Sequence, residues 1–246
     1  MNTVLHIPHS SRYIPATLRW RYVVSSEELA TELVRMTDWY TDELFMNPQS
    51  VAVVFPFSRL VVDVERFFDD RKEPMARKGM GWSYLRTSQG TPLTKALDPE
   101  TQRYLATVYW DHHKRLTELV SSGTVVLDCH SFPSKPLPCD LDQTSARPDI
   151  CIGTDPVHTP QGLREITVDF FQKKGLVVDV DKPYSGTLVP FSVYRKDPTV
   201  KSIMVEVNRS LYVEEATGKK SENFSKIRKI VGEFVEILQA LGPNSL

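Results

Sequence analysis

The sequence predicts an α/β fold in which helices cover both faces of a mixed, mainly parallel sheet. Short apolar, β-branched runs alternate along the chain with longer segments of helical periodicity. Strands that alternate with helices of this length are joined by crossover connections, which make neighbouring strands parallel. Because the 246 residues contain neither a linker nor an internal repeat, we expect one three-layer domain spanning residues 1–246.

The predicted strands are short runs rich in Val, Ile and Leu. Continuous apolar runs of this length are typical of strands that are buried on both faces. They lie at 3–7, 51–55, 59–64, 124–130, 149–153, 176–180 and 202–208.

Four segments have apolar residues at helical spacing and are predicted to be amphipathic helices. They lie at 25–45, 98–122, 159–175 and 221–242. Their boundaries carry capping signals, since Ser25 with Glu28 forms a capping-box pattern and Asp98 precedes the second helix. Glycines stand where three of the helices are expected to end, at Gly123, Gly175 and Gly242.

Two segments, 68–97 and 131–148, break the alternation and are predicted to be long loops. Long loops in a compact domain are usually functional. In an open α/β sheet, ligands bind beyond the carboxyl ends of the strands, where such loops gather.

Composition favours a cytosolic protein that acts on a small molecule. Thirty basic and 31 acidic residues give a net charge of -1, and the scattered basic residues do not predict nucleic-acid binding. The chain contains no apolar run long enough to cross a membrane and no leader-like start. Cys129, Cys139 and Cys151 lack metal-binding spacing and are expected to be reduced core residues.

Candidate chemistry lies where strands are expected to end. His9 follows the first predicted strand, and His130 ends the fourth. Two imidazoles and a carboxylate form a recurrent catalytic zinc set, and Asp38 or Asp42, four residues apart on one predicted helix, supplies the carboxylate. Alternatively, the histidines are hydrogen-bonded turn residues and the aspartates form a solvated helix face.

Glu206 lies in the apolar run 202–208 and is expected to be largely buried. Burial raises the pKa of a carboxyl group, which suits a general base. An ion pair with Arg209 or another arginine is the alternative.

Arg59 and Arg66 flank Asp63, and either guanidinium is suited to hold a substrate carboxylate while Asp63 orients it. Alternatively, both are surface arginines beside a strand. The remaining histidines, His6, His112, His113 and His158, are expected to be structural or solvated.

Several blocks, in order, resemble the N-formylglutamate amidohydrolase family. They are HIPHSSRYIP at 6–15, TDW at 37–39, SRLVVDVER at 58–66, TSQGTPL at 87–93, DCHS at 128–131, RPDICIGT at 147–154, YSGTLVP at 184–190 and IMVEVNRSLYVEE at 203–215. The resemblance spans most of the chain. One position departs from the family pattern, because Glu65 stands where the family usually has Asn.

The resemblance implies a zinc carboxypeptidase-related, phosphorylase/hydrolase-like α/β core with one catalytic Zn²⁺. The implied ligands are His9, His130 and, through the TDW block, Asp38 rather than Asp42. Glu206 becomes the water-activating base. Arg59 and Arg66 are then expected to bind the substrate carboxylate or stabilise an oxyanion.

Ser131 and Arg147, which lie in two of the matching segments, are also expected to bind substrate. The expected reaction is hydrolysis of the amide of an N-formyl or other N-acyl amino acid. Alternatives are a carboxypeptidase-like or polyglutamate-cleaving metallopeptidase, a metal-free binding protein and a structural scaffold of the same fold. The sequence leaves the acyl group, the amino acid and the oligomeric state open.

Overall fold

One six-stranded sheet forms the centre of the computed structural model, which describes residues 2–241. Its strands are β1 (Thr3–Ile7), β2 (Val51–Val54), β3 (Val125–Phe132), β4 (Ile150–Gly153), β5 (Val178–Val180) and β6 (Lys201–Asn208). Their spatial order is β2-β1-β3-β6-β4-β5. Every pairing is parallel except that of β4 with β6. The predicted mixed, mainly parallel sheet is therefore confirmed.

Outside the sheet, the described residues form a small hairpin and several helices. The hairpin, which the sequence did not predict, pairs β7 (Val213–Glu214) with β8 (Lys219–Lys220). The helices are α1 (Ser26–Met36), α2 (Thr41–Phe45), α3 (Pro99–Leu119), α4 (Gln161–Lys173) and α5 (Phe224–Ala240). Short 3-10 turns lie at Ala16–Arg21, Pro74–Lys78 and Arg209–Leu211. Within residues 2–241, no helix combines the length and apolar character needed to cross a bilayer.

The predicted capping signals hold at both helix starts. Ser25 and Glu28 form a complete capping box at α1, and Asp98 accepts two backbone hydrogen bonds at the start of α3. Gly175 follows α4 with φ of 80°, a conformation that favours glycine. Gly242, predicted to end the last helix, lies outside the described residues.

The single helix predicted at 25–45 is wrong, because the chain leaves the helical conformation between α1 and α2. Thr37 ends α1 with extended backbone, and Tyr40 has φ of 58°. The buried Trp39 fixes this break, since its indole Nε1 donates to the Val34 carbonyl at 2.9 Å. As a result, Asp38 and Asp42 do not share a helix face.

The strand predicted at 59–64 is also wrong. Its apolar residues are buried, but the segment folds as consecutive turns. The Asp63 amide donates to the Trp82 carbonyl, and the Val61 amide donates to the Ser58 carbonyl, both at 2.8 Å. The segment packs in the core beneath the 68–97 loop rather than in the sheet.

The two faces of the sheet bury different layers. Leu127 and Cys129 of β3 and Val205 of β6 point into the core that contains α2, α4 and α5. Because side chains alternate between the faces of a strand, the residues next to them, such as His130 and Glu206, point to the face that carries α3. The polar residues of the central strands thus share one side of the molecule.

Acidification is expected to destabilise the fold through His113 on α3. Burial, together with the neighbouring His6 imidazole, lowers the pKa of His113 to about 4, whereas an unfolded chain titrates near 6.5. Between these pH values the unfolded state binds more protons, so the free energy of unfolding falls as the pH drops. The full effect is about 3 kcal/mol, measurable by urea unfolding in the presence of a chelator.

His113→Gln is the matched variant, because a glutamine amide can still donate to the Val64 carbonyl that His113 Nε2 contacts at 2.8 Å. This variant should show a shallower loss of stability between pH 6.5 and pH 4. An identical slope in the two proteins would show that His113 does not carry the effect.

Candidate active site

A cavity of about 390 Å³ opens on the α3 side of the sheet. Its walls come from the end of β1, the turns at 58–67, strands β3 and β6, and the segment 184–191. Residues of both predicted loops, 68–97 and 131–148, complete the lining. The cavity lies at the carboxyl end of the parallel strands, where ligands bind in open α/β sheets.

His9 lies in the turn after β1 and presents one unpaired nitrogen. Its Nε2 donates to Asp63 Oδ1 at 2.9 Å. Its Nδ1 is buried without a hydrogen-bond partner, 3.7 Å from Glu65 Oε2. A neutral imidazole that donates through one nitrogen carries a lone pair on the other, so His9 Nδ1 is arranged to bind a metal ion.

His130 lies on β3, with its ring centroid 5.2 Å from that of His9. Its Nδ1 donates to Asp38 Oδ2 at 2.9 Å, and its Nε2 faces Glu65 Oε1 at 3.0 Å and Asp128 Oδ1 at 3.1 Å. Burial acts to lower the pKa of His130, but Glu65 and Asp128 outweigh it and raise the pKa well above 6.5. The surroundings of Nε2 therefore stabilise a positive charge, whether a proton or a metal ion.

Glu65 lies between the two histidines and completes a donor set. Ligand atoms of His9, Glu65 and His130 all lie within 4.8 Å of one another. Two imidazole nitrogens and one carboxylate oxygen are a recurrent set in catalytic zinc sites, and each histidine is held by a carboxylate on its other nitrogen. The residues present therefore fit a single divalent metal ion.

Asp38, the third ligand predicted from the sequence, also lies close to both histidines, with its Oδ2 3.6 Å from His9 Nδ1. Its carboxylate accepts the hydrogen bond from His130 Nδ1 and lies 3.5 Å from Arg209 Nη2. It orients the histidine from the side opposite to the nitrogen that faces Glu65. Asp42, the alternative ligand, lies on α2 outside the cavity lining, because the chain turns at Tyr40.

Glu206 points into the cavity beside His130, its register partner in the β3–β6 pairing. Burial raises the pKa of Glu206 to about 8, although His130 acts in the opposite direction. Its Oε2 is buried without a hydrogen-bond partner. Such a carboxyl group exchanges protons near neutral pH, as a general base must.

Among residues 2–241, Glu206 forms no ion pair with Arg209 or another arginine, the alternative that the sequence offered. Arg209 instead donates to the Arg35 carbonyl at 2.6 Å and to Ser131. Ser131 lines the cavity, as expected for a substrate-binding residue.

Arg59 and Arg66 both line the cavity, whereas Asp63 lies behind them. Arg59 donates from Nε and Nη2 to Asp63 Oδ2, at 3.1 and 2.8 Å. The same oxygen accepts from the Tyr84 hydroxyl at 2.6 Å. Asp63 is fully buried, so it orients Arg59 and His9 rather than touching a substrate.

Arg147 does not reach the cavity. Its guanidinium donates to the Tyr184 hydroxyl and to Asp140, each at 2.9 Å, and its side chain is 1% exposed. Tyr184 and Asp140 line the cavity. Arg147 therefore supports the wall and is not placed to bind substrate directly.

Two residues near the metal-ligand candidates were missed at the sequence level. Glu65 was interpreted only as a departure from a family block. Asp128 lies two residues before His130, and the period-two alternation of a strand puts both on one face. That alternation was the available signal for Asp128.

The fold and the cavity define an α/β protein with a histidine and carboxylate centre at the carboxyl edge of its sheet. The family model described as N-formylglutamate amidohydrolase matches residues 1–213. The chain belongs to that family, a family of hydrolases.

Two solved structures share the fold. An N-formylglutamate amidohydrolase from Ralstonia eutropha JMP134 is 22% identical, with a TM-score of 0.77 over 96% of this chain and 94% of that one. The gene product Atu2144 from Agrobacterium tumefaciens is 18% identical, with a TM-score of 0.65 over 97% and 89% of the two chains. None of the curated proteins matches significantly.

Proposed function

We propose that this protein is a metal-dependent amidohydrolase that removes the formyl group from an N-formyl amino acid such as N-formylglutamate. One observation carries the proposal. His9 and His130 each give one nitrogen to a buried carboxylate and turn the other towards Glu65. Family membership supplies the amide substrate class.

We assign the metal as one Zn²⁺ per chain, held by His9, Glu65 and His130. When bound, a zinc ion with three protein ligands supplies an acidified water and polarises the acyl oxygen. Asp63 and Asp38 hold the two imidazoles in the tautomers that leave the inner nitrogens unprotonated.

Glu206 accepts the proton of the attacking water and delivers it to the leaving nitrogen. The carbon–nitrogen amide bond breaks, the water oxygen is added to the formyl carbon, and formate and a free amino acid result. The raised pKa of Glu206 suits both transfers, because the group must be ionised for the first and protonated for the second.

The two cavity arginines bind the anionic parts of the reacting molecule. Asp63 holds Arg59 through two hydrogen bonds, which suits a preorganised donor to the oxyanion. Arg66 has a buried Nε without a hydrogen-bond partner, and we assign this guanidinium to the substrate α-carboxylate.

Metal analysis and a substrate panel test the proposal together. We expect about one zinc per chain, and hydrolysis of N-formyl amino acids that stops on chelation and returns with zinc. N-acetyl amino acids and γ-glutamyl peptides belong in the same panel. Preferred cleavage of peptides would indicate a metallopeptidase, and protein that binds no metal and cleaves nothing would indicate a binding role.

A further inference from the structure

A chain of buried hydrogen bonds runs from α3 to the candidate metal centre. His112 on α3 and His6 on β1 meet through their Nε2 atoms at 2.8 Å. His6 Nδ1 lies 2.8 Å from Asp128 Oδ1, which lies 3.1 Å from His130 Nε2. All four side chains are buried, and the proposed mechanism uses neither His6 nor His112.

The chemistry of these groups fixes the direction of the hydrogen bonds. Asp128, as a carboxylate, offers only acceptor oxygens to its neighbours, and the Leu188 amide already donates to its Oδ2. His6 Nδ1 must therefore donate to it, which leaves the His6 Nε2 lone pair as an acceptor. His112 must then donate from its own Nε2, and burial, which holds the pKa of His112 well below 6.5, keeps that ring neutral.

Each carboxylate oxygen of Asp128 accepts a hydrogen bond. Oδ1 accepts from His6, and Oδ2 accepts from the Leu188 amide at 2.8 Å. We propose that His6 and His112 are positioning residues of the metal centre, which raise its affinity for zinc by holding the negative carboxylate of Asp128 beside the zinc-binding Nε2 of His130. This inference rests on the zinc site proposed above.

Packing alone does not account for the histidine pair. His112 packs edge to face against Phe55, with ring centroids 5.2 Å apart, and an apolar ring is suited to that environment. Two polar rings buried between a sheet and a helix are costly unless their nitrogens are hydrogen-bonded. Here the two rings are hydrogen-bonded to each other, and His6 is hydrogen-bonded to Asp128, which lies beside the metal-ligand candidates.

A second metal ion is the competing interpretation. His6, Glu65 and Asp128 also offer ligand atoms within 4.8 Å of one another. That site would require His6 Nδ1 without its proton, whereas the hydrogen-bond chain requires the proton to be there. The tautomer of His6 therefore distinguishes the hydrogen-bond chain from a second metal site.

The first test is zinc affinity, measured by competition with a chelator in the full-length protein. His112→Phe removes the donor and keeps the ring, and we expect zinc to bind about 10- to 100-fold more weakly, as for other residues that support metal ligands. His112→Gln places an amide donor near the Nε2 position and should recover most of the affinity.

His158→Phe is the control. His158 is another fully buried histidine with both nitrogens hydrogen-bonded, to Val200 and Arg195, but it does not contact the chain that leads to Asp128. This variant should lose stability and keep the parent affinity for zinc.

The outcomes distinguish this inference from the proposed function. A parent protein that binds zinc, with a His112→Phe variant that binds it equally well, overturns the inference alone. A parent that binds no zinc overturns both. If His112→Phe does not fold, ¹⁵N NMR of the zinc-loaded parent decides: the Nδ1–H tautomer of His6 supports the chain, and the Nε2–H tautomer or a second zinc overturns it.

Discussion

Glu206→Gln should lower kcat by about 10²- to 10⁴-fold, the usual contribution of general acid–base catalysis. KM and zinc content should change little, because the carboxamide keeps the shape of the side chain but cannot accept the proton of water. The neutral Gln also suits the site, since the buried Glu206 carboxyl makes no salt bridge within residues 2–241. Steady-state kinetics of zinc-loaded protein measures the effect.

Glu32→Gln is the matched control. Glu32 is a buried glutamate outside the cavity lining, and it accepts hydrogen bonds from the amide and hydroxyl of Ser88. The same change of carboxyl to carboxamide there should lower the stability and leave kcat near that of the parent. Full turnover by zinc-loaded Glu206→Gln at saturating substrate would reject Glu206 as the base.

The sequence predicted the central strands because their residues are apolar on both faces, a pattern typical of strands buried within a sheet. It did not separate such strands from 59–64, whose apolar residues are equally buried. Periodicity reports burial but not the partners of the backbone, and here the Asp63 amide bonds to Trp82 rather than to a neighbouring strand. Hydrophobic periodicity therefore could not predict that residues 58–66 form a buried turn.

The part of the site that lies on or directly after neighbouring strands could be predicted from the sequence. His9 and His130 come together because β1 and β3 are adjacent and parallel, and Glu206 lies beside His130 by register. The third ligand could not be chosen in this way. Asp38 and Asp42 were paired by assuming an unbroken helix, and which histidine nitrogen is left without a partner depends on contacts between distant segments.

Glu65→Gln and Asp38→Asn should therefore differ in zinc binding. Glu65 faces the inner nitrogens of both histidines, so its neutral amide should leave protein that does not retain zinc through dialysis. Asp38 accepts the hydrogen bond from His130 Nδ1 and lies 3.6 Å from His9 Nδ1. If Glu65 is the ligand and Asp38 orients the histidines, Asp38→Asn should weaken zinc binding by about 10- to 100-fold without abolishing it. Chelator competition followed by metal analysis measures both.

Asp42→Asn serves as the control, since Asp42 lies outside the cavity lining and its loss should leave zinc affinity unchanged. The reverse order, with zinc lost from Asp38→Asn and kept by Glu65→Gln, would restore Asp38 as the ligand. In that case Glu65 would be left as a charge beside the substrate. The comparison matters beyond the ligand set, because Glu65 is the position at which the sequence departs from the resemblance described above. If Glu65 binds the metal, the residue that departs from the resemblance is itself part of the ligand set of this chain.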